Sequence, residues 1–386
     1  VLLYDLTSTY FESDPPFPEA DKRRYGYSRD KRSDCVQVVI ALIVTPEGFP
    51  LAYEVLSGNT SDKATLAGFL QKIQDQYGKA QRVWVMDRGI PTEKVLEQMR
   101  ASDPPVQYLV GTPRGRLSQY EQKLLELPWQ IVREGVSVKL LSEDSELYVL
   151  AQSRDRVHKE RAMRRRQLKG LWQRLKKLQA MKLKRDALLK KLGAALHTYP
   201  VAARLLDPTV LPKEAKLTFT LCKDKLRQAR KREGRYLLRT NITSGRTAEE
   251  LWQFYIQLTE VEAAFKNLKD DLALRPIYHQ LEHRIEAHIF LSFLAYCLHI
   301  TLRRRLRDLA PGLTARSVLG KFATVQMLDV HLPTTDERTV ILSRYTHPET
   351  DVQLLLQQLK LELPAQPPPK IIRPKLPDNL AAVVKT

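Results

Sequence analysis

VQVVIALIVTPEGFPLAYEVL, residues 36–56, decides the fold of this chain. Its first nine residues are apolar and rich in β-branched side chains, the pattern of a central strand. Thr45–Gly48 reads as a turn, and FPLAYEVL returns as the second arm of a hairpin. Upstream, VLLYDLTSTYF, residues 1–11, is another apolar strand, followed by a charged loop with Pro15, Pro16 and Pro18. Downstream, GNTSD, residues 58–62, hands over to a helix expected at 63–77 with Asp62 as its N-cap. VWVMDRG, residues 83–89, is a short strand with Asp87 at its carboxyl end. A helix at 91–101 and the strand VQYLVGT follow. Three antiparallel strands passing into helix–strand alternation specify an α/β fold, a mixed sheet flanked by helices.

The pattern changes between residues 113 and 245. SVKLL, ELYVLAQ and LTFTLC read as short strands around a strongly basic stretch from Arg154 to Lys191, and GRYLLRTN, residues 234–241, returns as a strand. Leu168, Leu171, Leu175 and Leu178 keep helical spacing inside the basic stretch. The block reads as a strand-containing basic insertion. Thr247-x-x-Glu250 is a capping box opening the next helix. Arg275 and Pro276 break the chain, and a long apolar helix is expected from about residue 281. Past Pro311 lies a smaller region containing TVILSRYT, then a proline-rich extended tail from Pro364 to Pro377. The expected divisions are a core in two pieces, 1–112 and 246–310, an insertion, 113–245, and an extension, 311–386.

Over 386 residues the formal net charge is +19 and the isoelectric point about 9.7. That surplus calls for an anionic partner, nucleic acid ahead of a membrane surface or an acidic protein. Cys35, Cys222 and Cys297 are scattered, which fits a reducing interior and excludes a thiolate zinc site. No signal peptide opens the chain, and the apolar stretch Ala287–Leu302, with His288 and His299, is short for a bilayer and reads as a buried helix. The expectation is a soluble cytoplasmic protein. Val1 is not an initiator Met and the first strand is already under way there, so a missing amino-terminal part is expected.

Chemistry is concentrated in YIQLTEVEAAFKNLK, residues 255–269, where Tyr255, Glu262 and Lys269 fall seven apart. On one unbroken helix they would share a face at intervals of roughly 10 Å, a row suited to a phosphodiester backbone. Two further carboxylates stand out. Asp5 lies within the first strand and Asp87 ends the fourth. If those strands are neighbours with a helix packed across them, Asp5, Asp87 and Glu262 meet. Such a trio suits two hard divalent cations, with Asp5 bridging and the other two each holding one side; Mg²⁺ fits best. Alternatives stand beside each residue. Asp87 before Arg-Gly could be a turn residue, and Glu262 alone a solvated helix position. Asp5 is harder to dismiss, because a carboxylate on an apolar strand needs a partner. Asp30, Asp34 and Asp62 fall in loops or at a cap.

YDLTSTYFE, VMDRG and Y-x₂-L-x₃-E-x₆-K together resemble the bacterial insertion-sequence transposases of the DDE class, in the branch with a Y-x₂-R-x₃-E-x₆-K signature. The resemblance runs over nearly the whole chain, including GNTSD, LLRTN, LRPIYH and AHIFLSFLAY. It implies a ribonuclease H-like fold with an insertion before the helix carrying the third carboxylate. It also implies Asp5, Asp87 and Glu262 as a catalytic triad binding two Mg²⁺, with Mn²⁺ as a substitute, and Tyr255 and Lys269 on phosphates near the cleaved strand. Leu258 stands where the signature has Arg, which removes one phosphate contact. The implied reaction is hydrolysis at element ends and attack of the freed 3′ hydroxyl on target DNA. Its implied partners are double-stranded terminal inverted repeats and target DNA, held by a homodimer in the bacterial cytoplasm, with no membrane.

Other readings compete. His279-Gln280-Leu281-Glu282-His283 matches H-x-x-E-H, a zinc metalloprotease motif, although Pro276 just upstream sets His279 near a loop. Residues 154–191 carry about five Lys or Arg for each acid, so Arg164, Arg165 and Arg166 are expected to bind DNA phosphates without regard to sequence and in a salt-sensitive way. Trp172, at leucine spacing, reads as packing. A nuclease with the same core, or an inactive DNA-binding remnant of a transposase, would share most of these features.

Overall fold

The computed structural model describes residues 1–13, 17–78, 80–211, 216–336 and 338–372. Pro15 and Pro16 of the expected loop, and the tail beyond residue 372, lie outside them. Contacts divide the chain into two compact units, Val1–Lys266 with Arg275–Ile285, and Asn267–Leu274 with Glu286–Thr386.

The first unit opens with β1 (Leu2–Phe11), β2 (Val36–Val44), β3 (Pro50–Ser57), α1 (Asp62–Tyr77), β4 (Val83–Met86), α2 (Glu93–Ala101) and β5 (Gln107–Gly111). The order expected from the sequence is therefore found. Ser61, not Asp62, occupies the N-cap position of α1, and Asp62 instead ion-pairs with Arg29 at 2.5 Å. Next come α3 (Arg114–Glu126), β6 (Gln130–Arg133), β7 (Val136–Glu143), β8 (Glu146–Ser153), α4 (Arg154–Ala180), α5 (Arg185–Thr198), α6 (Pro200–Ala203), β9 (Leu206–Val210), β10 (Leu217–Leu221), α7 (Lys223–Lys231) and β11 (Arg235–Thr240). Finally α8 (Ala248–Ile256) and α9 (Leu258–Lys266) close the unit.

Nine strands form one sheet in the order β3-β2-β1-β4-β5-β11-β8-β7-β6. β1 runs antiparallel to β2 and parallel to β4, β4 is parallel to β5, and β11 joins β5 antiparallel. The β3-β2-β1-β4-β5 half is the mixed sheet that the sequence predicts, three antiparallel strands continued by parallel ones. Strands of the expected insertion do not build a separate sheet; β11, β8, β7 and β6 prolong the same one. Only α4, α5, β9 and β10 gather around a core of their own, with Leu171, Leu175, Leu178, Leu188 and Leu217 buried together. Trp172 packs there edge-on against Phe219, with ring centroids 4.8 Å apart.

Strand periodicity settles which residues face the helices. Leu2, Tyr4 and Leu6 of β1, with Trp84 and Met86 of β4, join a core with Leu66 and Phe69 of α1 and Leu96 and Met99 of α2. Side chains alternate along a strand, so Asp5, between Tyr4 and Leu6, is turned to the opposite face. Tyr4 pairs in parallel with Met86, the last pair of that register, and Asp5 and Asp87 are the residues that follow them in the chain.

The second unit, taken by itself, contains a five-residue π-helical turn (Asn267–Asp271), most of α10 (Glu282–Leu309), then α11 (Ala315–Phe322), β12 (Met327–Pro333), β13 (Thr339–Tyr345), α12 (Thr350–Leu359) and β14 (Lys370–Ile372). Leu306, Val318, Leu355 and Leu359 form its core, and β12-β13-β14 is an antiparallel sheet. α10 is the long apolar helix expected from about residue 281, but it departs from the buried helix that its apolar stretch suggested. It has 28 residues and is, by length and composition alone, apolar enough to cross a membrane. Its apolar residues are not confined to a buried stripe, and Phe290, Leu291, Leu294 and Leu298 are exposed.

Candidate active site

Helix winding from Thr247 onward is set by a complete capping box: the Glu250 amide donates to Thr247 Oγ1 at 3.1 Å, and Glu250 Oε2 accepts from the Thr247 amide at 2.8 Å. The helix beyond is not one rod. It breaks at Gln257 between α8 and α9, then changes to π winding at Asn267. α8 packs against β4, β5 and β8, whereas α9 packs on β1 and β2. Each segment thus follows its own part of the sheet, and the seven-residue register does not run unbroken from Tyr255 to Lys269. Lys269 falls in the π-helical turn and is buried. Glu262 is exposed on α9.

Asp5 feels the charges of the other two carboxylates, Asp87 and Glu262. Asp5 is half-buried, and its carboxyl is pushed up to about 7, first by desolvation, with the charges of Asp87 and Glu262 adding to the rise. The Leu6 backbone amide and the Arg29 charge pull the other way. None of Asp5, Asp87 and Glu262 is in an ion pair within 4.0 Å among the described residues. By contrast, Asp30, Asp34 and Asp62 are tied to Arg275, Arg32 and Arg29 at 2.5, 3.0 and 2.5 Å.

Carboxylate oxygens are the donors a hard divalent cation takes, and Asp5 sits where added positive charge would lower the cost of ionisation. In donor type and electrostatics the trio fits such an ion. As folded here it is not a closed ligand cage, because no group of three or more His, Cys, Asp or Glu among the described residues is spaced to hold a metal. The same holds for H-x-x-E-H: α10 begins at Glu282, so His279 precedes the helix and cannot share a helix face with His283.

Tyr255 adjoins the carboxylates. Its hydroxyl lies over Gly111, where an added Cβ would come within 3.2 Å of it. Burial, then the charge of Asp87, pushes its phenol up to about 12, so it stays a hydrogen-bond donor at neutral pH. The ring stacks on Tyr236, centroids 5.7 Å apart. Of the expected DNA-binding arginines, Arg165 and Arg166 are exposed on α4, but Arg164 is buried and ion-paired with Glu233. Sequence reasoning did not single out Arg88, Arg156, Arg235 and Tyr236, which line one pocket with Asp87 and Tyr255. The only hint was the Arg that follows Asp87.

Residues 1–298 match a family described as the transposase DDE domain. Among solved structures, a piggyBac transposase in a synaptic complex with hairpin DNA is similar, with 8% sequence identity and a TM-score of 0.39. That match covers 78% of this chain and 46% of the other, so the chain spans about half the length of that transposase. No curated protein matches the sequence.

Proposed function

The chain belongs to the transposase DDE domain family, and from that premise we propose that it is a divalent-metal-dependent DNA transposase acting through Asp5, Asp87 and Glu262. One observation carries the proposal: Asp5 on β1 feels the charges of both Asp87, at the end of β4, and Glu262, on α9, and none of the three has an ion pair within 4.0 Å among the described residues. Evolution of a stable fold alone gives no reason to gather them, since like charges at one place destabilise the folded chain. These three side chains would hold two Mg²⁺, with Mn²⁺ as a substitute. When bound, the ions supply activation of the attacking oxygen and stabilisation of the leaving one in an in-line phosphoryl displacement.

The chain's own groups account for the rest. Asp5, with its desolvated carboxyl, gives up its proton more readily once positive charge is near, so the site is strongest above neutral pH. Tyr255 keeps its proton and can donate to a phosphate oxygen beside Asp87. Arg165 and Arg166 give α4 a salt-sensitive hold on the backbone. The substrates proposed are the double-stranded ends of a bacterial insertion sequence and a target duplex, engaged by a homodimer in the cytoplasm. Mg²⁺-dependent cleavage of candidate element ends, followed by strand transfer, tests the reading. Activity that survives Asp87→Ala and Glu262→Ala would refute it, and cleavage without strand transfer would make the protein a nuclease.

A further inference from the structure

Beside Asp87 lies a pocket of about 240 Å³ lined by Arg88, Arg156, Arg235, Tyr236 and Tyr255. Arg88 and Arg156 bring two positive charges to a pocket with one carboxylate, next to a residue of the proposed catalytic trio. The Arg235 head turns instead to Trp129 and Gln152, on the other side of β11 from Tyr236. Most arginines nearby are neutralised: Arg154 by Glu134 at 3.2 Å, Arg161 by Glu233 at 3.2 Å, Arg232 by Glu121 at 2.7 Å and Arg239 by Glu146 at 2.7 Å. The pocket arginines differ. Arg88 has no ion pair among the described residues. Arg235 is half-buried, bonds only to Gln152 Oε1 at 3.3 Å, and lies 5.5 Å from the Trp129 ring centroid. Burial pulls its pKa below the ordinary arginine value. Arg156 keeps a single exposed pair to Glu160 at 3.3 Å, and its guanidinium stands 4.9 Å over the Tyr236 ring. Tyr236 in turn is fixed by the Trp252 indole N–H, which donates to its hydroxyl at 2.7 Å.

Arg88 has no carboxylate to answer it and Arg156 only an exposed one, a pair of little worth in water, so both keep charge for an arriving anion. The aromatic ring under Arg156 restricts that side chain before any ligand binds, which lowers the ordering cost of binding. We propose that this pocket holds a phosphodiester group of the bound DNA strand, adjoining the one placed at Asp87, with Arg156 and Arg88 as its gripping cations. The inference rests on the transposase reading above and adds to it a positioning role for the first turn of α4. The long basic helix would then meet the substrate at two places: loosely through Arg165 and Arg166, and at a fixed point through Arg156.

The test is equilibrium binding of a labelled duplex of about 30 base pairs of arbitrary sequence, in EDTA, over a series of salt concentrations. Arg156→Ala should weaken binding about tenfold and lower the log–log salt slope by about 0.9, the value of one phosphate contact. Arg156→Lys should keep the slope while losing part of the affinity, an outcome that a purely structural arginine would not give. Arg88→Ala, at an exposed position, repeats the measurement should Arg156→Ala fail to fold. Wild-type affinity and slope in both alanine proteins would overturn the pocket assignment. The carboxylate reading is scored separately, on cleavage by Asp87→Ala and Glu262→Ala. Failure there would leave a salt-slope change at Arg156 standing as a DNA contact.

Discussion

Around the β11-β8-β7-β6 half of the sheet, Glu146 lies between Arg100 and Arg239, at 2.9 and 2.7 Å, and Glu233 lies between Arg161 and Arg164. In the β3-β2-β1-β4-β5 half, Asp5, Asp87 and Glu262 share a neighbourhood with no ion pair at all among the described residues. Both halves belong to one sheet of one chain, so overall composition does not explain the contrast. Acids held by arginines are part of the fold. Acids without an ion pair keep their charge for something that binds, and the same logic separates the neutralised arginines of α4 from Arg88, and from Arg156 with its one exposed pair.

The largest effect should fall where the charges are unpaired. Asp87→Ala and Glu262→Ala should each lower metal-dependent cleavage on the order of 10³-fold while leaving the melting temperature close to wild type. Steady-state rates and thermal melts on the same preparations check this, and a large loss of stability would erase the contrast. In the paired half the pattern should invert. Arg239→Ala takes one of two guanidinium partners from buried Glu146, leaving it Arg100 alone, and should cost about 1.5–3 kcal/mol in denaturant unfolding. A neutral Arg239→Ala would mean that Glu146 is not the buried paired acid described here.

A pH series sharpens the comparison further. The Asp5 carboxyl is raised from its ordinary 3.8 to about 7 in the folded chain. Between those values the folded state binds more protons than the unfolded one, so this group's contribution to stability falls as pH climbs through that window. Asp5→Asn removes the loss. It should raise the melting temperature by a few degrees at pH 8 and hardly at all at pH 4, and an equal shift at both would show that Asp5 is not desolvated. The smallest effect is local: Thr247→Ala removes the capping side chain of α8 and should cost about 1 kcal/mol with no change in salt slope.

Much of this was legible in the residues. The run of apolar strands, the capping box at Thr247 and the spacing of Asp5 and Asp87 follow from periodicity, because burial on a sheet imposes it. Gln257 was different. It is neither Gly nor Pro, and the break there answers to two separate docking surfaces, β4–β8 for α8 and β1–β2 for α9. The π-helical turn at Asn267 has no local signal either. Arg164, Arg165 and Arg166 are alike in sequence. Only the 100° step of the helix decides that the first points at Glu233 and the next two at solvent. The pocket arginines were hidden for the same reason, since Arg88 and Arg156 come to one pocket only through sheet order.

Whether the three acids share a pair of cations is most directly answered by anomalous diffraction from crystals grown with Mn²⁺ and an oligonucleotide duplex. Two manganese peaks within bonding reach, about 2.1 Å, of carboxylate oxygens, both touching Asp5 and each touching one of Asp87 and Glu262, are the predicted result. Manganese bound elsewhere, at His279 and His283 for instance, with those three carboxyl groups well apart, would contradict it.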